Sequence, residues 1–69
     1  MKRTGVLNVW FAGRNYGFIH EQIEGGEITS HFLHASNVVS GTPRQGATVT
    51  FQKVAGTKGS LAVNAEVQP

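Results

Sequence analysis

Apolar and polar positions alternate along most of this chain with a period of two, and helical periodicity is poor throughout. The clearest stretch runs from Ala47 to Val54. It puts Ala47, Val49 and Phe51 on one face and Thr48, Thr50 and Gln52 on the other, the pattern of a half-buried strand. Ser60 to Val67 sets Leu61, Val63, Ala65 and Val67 against Ala62, Asn64 and Glu66. Tyr16 to Gln22 alternates Tyr16, Phe18 and His20 with Gly17, Ile19 and Glu21, and a run from Ile28 to His34 ends in alternating Phe32-Leu33-His34. Gly5 to Phe11, rich in Val, Leu and aromatics, makes a fifth run. Ala12 to Asn15, Glu24 to Glu27, Ser40 to Gly46 and Gly56 to Gly59 punctuate these runs as turns and loops. Ala35-Ser36-Asn37-Val38 predicts a single helical turn. The chain holds 9 Gly, and each would cost about 1 kcal/mol inside a helix, so helices of ordinary length are disfavoured.

Five short strands joined by tight turns leave two sheet edges to protect, and a small closed barrel removes them. The expected fold is therefore all-β, a five-stranded antiparallel barrel in a single domain over residues 1–69, with its body at about 5–67. Val6 or Leu7, Ile19, Leu33, Val38, Val49, Phe51 and alternate residues of the last run are available for its interior. If Ile19 and Leu33 point inward, alternation sends Tyr16, Phe18, Phe32 and His34 to the other face. Those side chains would make an exposed platform, with Trp10 or Phe11 beside it. Of that adjacent pair one faces in and one out, and alternation alone does not say which. Phe51 shares the apolar face of Val49 and belongs to the core.

Composition narrows the function. Lys plus Arg is 6 against 4 for Asp plus Glu, a net charge of +2, and charged residues make up 14% of the chain, below the usual ~25%. That is too few for a disordered polyelectrolyte or for a binder relying on electrostatics alone. There is no Cys, so neither a disulfide nor a Cys-based zinc site supports the fold. No apolar run approaches the ~18 residues of a membrane span, and no apolar stretch follows Met1-Lys2-Arg3 as a secretory signal would require. The expected setting is cytoplasmic.

Four segments in series resemble the cold-shock domain family. Arg14-Asn15-Tyr16-Gly17-Phe18-Ile19 is similar to the family's first RNP-type motif, and Phe32-Leu33-His34-Ala35-Ser36-Asn37-Val38 to its second. Lys58-Gly59-Ser60-Leu61-Ala62-Val63-Asn64-Ala65 resembles the family's C-terminal Lys-Gly-x-x-Ala-x-Asn-Val stretch, and Val9-Trp10-Phe11 its strand-one aromatic pair. The resemblance spans Gly5 to Val67 and implies an OB-fold barrel that binds single-stranded RNA or DNA, with a preference for pyrimidines, and acts as an RNA chaperone without catalysis. With His20, which alternation sets beside the platform, the binding set is Trp10, Phe11, Arg14, Tyr16, Phe18, His20, Phe32, His34 and Lys58. The chain also departs from the family. Asn15 replaces a Gly, Ala35 replaces an aromatic, and Asn8 or Val9 stands where the family has a Lys. The segment from Ile19 to Phe32 is longer and carries Glu21, Glu24 and Glu27, while Val39 to Gln45 is shorter and lacks its aromatic. The platform is thus expected to be smaller and less basic than the family's usual one.

Other chemistries find less support. His31 and His34 are three apart, and on a strand such residues face opposite ways, so they do not chelate one ion. His20 and His34 as platform neighbours would need two more ligands, and Glu21 or Glu27 are poor ones; no metal and no cofactor is expected. His31 is expected at a strand edge or facing solvent. The chain has no Asp and no nucleophile–base–orienter set, so it does not read as an enzyme. Gly25-Gly26 lacks the Lys-Ser/Thr and the helix of a phosphate loop. The rival from another class is a protein-interaction barrel that docks a peptide, or a second copy of itself, on the aromatic face. Low charge favours that rival, and Arg14 beside the rings favours nucleic acid. A monomer is the expected state.

Overall fold

The computed structural model describes residues 2–22, 25–56 and 59–69. Strand β1 spans Arg3–Phe11, β2 Tyr16–Gln22, β3 Ile28–His34, β4 Val38–Ser40, β5 Thr48–Gly56 and β6 Gly59–Val67. One-turn 3-10 helices follow β1 at Ala12–Arg14 and β3 at Ala35–Asn37, the second where the helical turn was predicted. Among the described residues no helix is long and apolar enough to cross a membrane.

The sheet order is β3-β2-β1-β5-β6, and β3 also pairs with β6, so these five strands close into a barrel consistent with the all-β OB fold expected. The expectation of purely antiparallel pairing is corrected. β1–β2, β2–β3, β1–β5 and β5–β6 are antiparallel, but β3 meets β6 in parallel at Phe32↔Leu61. The reason is parity, since a closed ring with an odd number of strands cannot reverse direction at every step. The short β4, in a segment read from sequence as the end of a helical turn and the start of a loop, pairs in parallel along the outer side of β6.

Leu7, Ile19, Leu33, Val49, Phe51, Ala62 and Ala65 are fully buried, with Ala47 and Val67 beside them. Phe51 is the one large ring of this core, as its strand pattern indicates. Two irregularities alter the expected alternation. In β1 the register to β2 shifts between Leu7 and Val9, so Leu7 faces inward while Trp10 pairs with Gly17 and packs against the core. In β6 the buried residues are Ala62, Ala65 and Val67 rather than an unbroken Leu61-Val63-Ala65-Val67 series. Asn64 explains the change of phase. It adopts φ 51°, its side-chain amide donates to Gln52 Oε1 at 2.8 Å, and the β5–β6 register shifts between Thr50 and Gln52. Asn tolerates the left-handed region better than most residues, which suits it to a bulge.

His31 overturns its sequence reading. It is fully buried, not at an edge or facing solvent, because it shares the inward parity of Leu33. Its ring lies 4.9 Å from that of Phe51, and its Nε2–H donates to Glu21 Oε1 at 2.9 Å. Arg3 Nε donates to both oxygens of the same carboxylate, at 2.8 and 2.9 Å. Side-chain exposure rises from 0% at His31 through 12% at Glu21 to 37% at Arg3, so the triad conducts a polar contact from the core to the surface and ties β1, β2 and β3 together. His31 Nδ1 is buried without a hydrogen-bond partner among the described residues.

The Glu21 pKa lies below its usual value of 4.5; burial pushes it up, but hydrogen bonds and charge from Arg3 and His31 outweigh that. A carboxylate with a depressed folded-state pKa contributes stability above its unfolded value and loses it as pH falls through the folded value. The thermal midpoint should therefore drop as pH is lowered below about 4.5, and Glu21→Gln should show a lower midpoint at neutral pH with a shallower acid decline. Calorimetry of both proteins across that range checks this, and parallel acid profiles would count against the triad.

Candidate nucleic-acid interface

The outer face of β1, β2 and β3 is built by register. Phe18 lies opposite Phe32 and Tyr16 opposite His34 across β2–β3, while Phe11 lies opposite Tyr16 and Val9 opposite Phe18 across β1–β2. Side chains opposite each other on one face of an antiparallel pair are close neighbours. The result is one contiguous ring cluster. Tyr16 sits at its centre, with ring centroids 5.2 Å from Phe11, 5.5 Å from Phe32 and 6.3 Å from Phe18, and Phe18 and Phe32 meet edge-on at 5.8 Å. These separations are those of mutually supporting aromatic pairs. Phe11 is exposed and the other three rings are half-buried, so each keeps some of its surface open to solvent.

The structure separates the two strand-one aromatics that alternation left open. Phe11 joins the ring cluster. Trp10 lies against Gly17 on the core side and is not within the cluster. Gly17 makes this packing possible. A Cβ there would run into the Val9 carbonyl oxygen and lie 2.8 Å from Trp10 Cε3. The turn after β1 holds Arg14 in the chain just before Tyr16. Asn15 N–H donates to the Phe11 carbonyl at 3.0 Å, Asn15 takes φ 61° and ψ 34°, and its own carbonyl accepts from Ala35 N–H at 2.8 Å. Asn at the family's Gly position therefore adopts the left-handed conformation that the turn needs, and Arg14 is exposed beside it.

His34 is exposed at the end of β3, next to Tyr16. His20 sits further along β2, opposite Ser30 on one side and Val6 on the other, and lines a shallow groove with Val6, Gln22, Ile28 and Thr48. It is thus on the same face as the rings but beyond the cluster. Lys58, the remaining sequence-predicted contact, lies outside the described residues. Sequence reasoning passed over Val6 and Ile28, 46% and 64% exposed, which extend the ring face as an aliphatic patch. Ile28 shares the parity of Phe32, so its place was readable; Val6 was hidden by the choice between it and Leu7.

Charge is sparse here. Lys2 pairs with Glu66 at 2.8 Å and Arg3 with Glu21. Among the described residues, Arg14, Arg44 and Lys53 carry no such ion pair.

No protein-family model matches the chain, and no curated protein matches it. The fold and the ring cluster carry the functional reading on their own.

Gly17→Ala should destabilise the domain by about 1–3 kcal/mol, the usual range for overpacking, whereas Phe18→Ala, on the half-buried face, should cost less. Urea unfolding of the two variants checks the order; equal losses would show that Phe18 is a core residue in energetic terms.

Proposed function

We propose that this chain is a divergent cold-shock-type domain that binds single-stranded RNA or DNA by stacking bases on the Phe11–Tyr16–Phe18–Phe32 cluster. The carrying observation is that cluster: four rings joined through Tyr16 on the outer face of a closed barrel, with Arg14 exposed in the turn just before Tyr16. Exposed aromatic surface of this kind marks binding sites, and each stacked base contributes about 1–3 kcal/mol. Bases within a duplex are already stacked and paired, so only an open strand offers its faces to the rings. Binding the open strand then draws hairpins toward the unpaired state by mass action. That is RNA chaperone activity without ATP, catalysis or a cofactor, and a regulator of transcription or translation works by the same shift. On this reading its setting is the cytoplasm.

The rings fit bases of any sequence, and pyrimidine preference follows from the family resemblance. The aliphatic patch at Val6 and Ile28 favours a second reading, in which the face docks a protein segment. Titration of oligo-dT, oligo-U and a duplex of equal length separates the two. Single strands should bind and the duplex should not; no binding of any single strand at tens of micromolar protein favours the protein partner.

Phe18→Ala or Phe32→Ala should weaken single-strand binding by about 1–3 kcal/mol, roughly five- to 150-fold. With so few unpaired cations, about 2–3 phosphates are neutralised, so log K should fall against log salt with a slope of about −1.4 to −2.1. A slope steeper than about −4 would show that phosphate attraction, not stacking, dominates.

A further inference from the structure

His34 has a hydrogen-bonding arrangement that the ring cluster does not account for. Its Nδ1 accepts from the backbone N–H of Ser36 at 3.1 Å and lies 2.9 Å from Ser36 Oγ. The contact caps the 3-10 turn Ala35–Asn37, with His34 as the residue before it. A backbone N–H can only donate, so Nδ1 must be the unprotonated nitrogen of the neutral ring, and the proton must sit on Nε2. His34 is exposed and pairs across the sheet with Tyr16. The remaining hydrogen-bonding atom of its ring is therefore a donor held at the edge of the aromatic cluster.

We infer that His34, locked in the Nε2–H tautomer by Ser36, is a fixed hydrogen-bond donor to an acceptor oxygen of the bound strand, either a base carbonyl or a phosphodiester oxygen. This inference rests on the nucleic-acid reading above and assigns a task to one residue within it. A ring free to change tautomer could accept from a base amino group as readily as donate to a carbonyl. This ring cannot do so without losing the bond from Ser36 N–H, because a protonated Nδ1 could at most donate to Ser36 Oγ. Ser36 is thus a positioning residue: it touches no ligand in this scheme but fixes what His34 can recognise. Because the capped turn begins at the last residue of β3, the same contact that starts the turn also sets the ring's chemistry.

The first test needs no ligand. Ring nitrogen NMR of the free protein at neutral pH should show His34 with an unprotonated Nδ1 and a protonated Nε2; the reverse, or an unbiased mixture, overturns the inference while leaving base stacking intact. The second test uses His34→Phe, which keeps an aromatic surface and removes the donor, and His34→Gln, whose amide N–H reaches toward the Nε2 position. His34→Phe should bind oligo-dU roughly fivefold more weakly, the usual worth of one hydrogen bond at about 1 kcal/mol, and His34→Gln should recover part of that loss. If His34→Phe binds as tightly as the parent, the donor role is refuted, although single-strand binding itself stands. Oligo-dC of equal length and oligo-dU with neutral methylphosphonate linkages identify the oxygen. A preference for dU over dC that His34→Phe abolishes places uracil O4 against Nε2; an equal loss on both that persists on the methylphosphonate strand places the shared base O2 there, and one that disappears on it places a phosphodiester oxygen there. If neither the parent nor any variant binds single strands, the nucleic-acid reading fails and the His34 role fails with it.

Discussion

Closing five strands into a ring forces one seam where neighbours run the same way, and the organisation of this domain follows from that seam. β3 meets β6 in parallel at Phe32↔Leu61. The other four pairings around the ring are antiparallel. Closure leaves an interior wide enough for Leu7, Ile19, Leu33, Val49 and Phe51 with small alanines from β6. A barrel this narrow takes the Phe51 ring at its centre with the His31 imidazole packed on it. The aromatic side chains of β2 and β3 go to the outside, where the register gathers them into one cluster. The core and the candidate site are therefore two faces of the same alternation.

The two bulges adjust that alternation where it would otherwise fail. In β1 the shift between Leu7 and Val9 keeps Leu7 in the core and still turns Phe11 outward to Tyr16. Without it, Leu7 and Phe11, four residues apart, would share a face. In β6 the left-handed Asn64 brings Ala62 and Ala65 both inward. Small residues at those two positions let the strand approach the centre.

Much of this was legible in the sequence, and the misses have physical causes. Strict alternation placed Ile19, Leu33, Val49 and Phe51 inside and Tyr16, Phe18 and Phe32 outside, because no bulge interrupts β2 or β3. Bulges are backbone events with weak sequence signals, so the facing of Trp10 and the phase of β6 were not readable. His31 was misread for a different reason. Its parity with Leu33 points inward, but residue type argued for solvent, and the partner of its Nε2 is ten residues away on another strand. The parallel seam was implied by the strand count alone. Of the candidate site, the rings came from alternation and from the family resemblance. The tautomer-fixing role of Ser36 depends on a turn geometry that a sequence does not display.

The short β4 has a consequence for how these molecules behave in company. Any sheet that does not close completely offers an edge on which another chain can add a strand. Here the ring consumes the edges of its five strands over the closed region, and the strand appended to β6 is only Val38–Ser40. Three residues give too few backbone groups to template a neighbour, a recognised way of blunting an edge. Val39 on that strand is 61% exposed, yet it has no long flat partner surface to extend. The appended strand thus gives another chain little backbone to pair with on that side of the barrel.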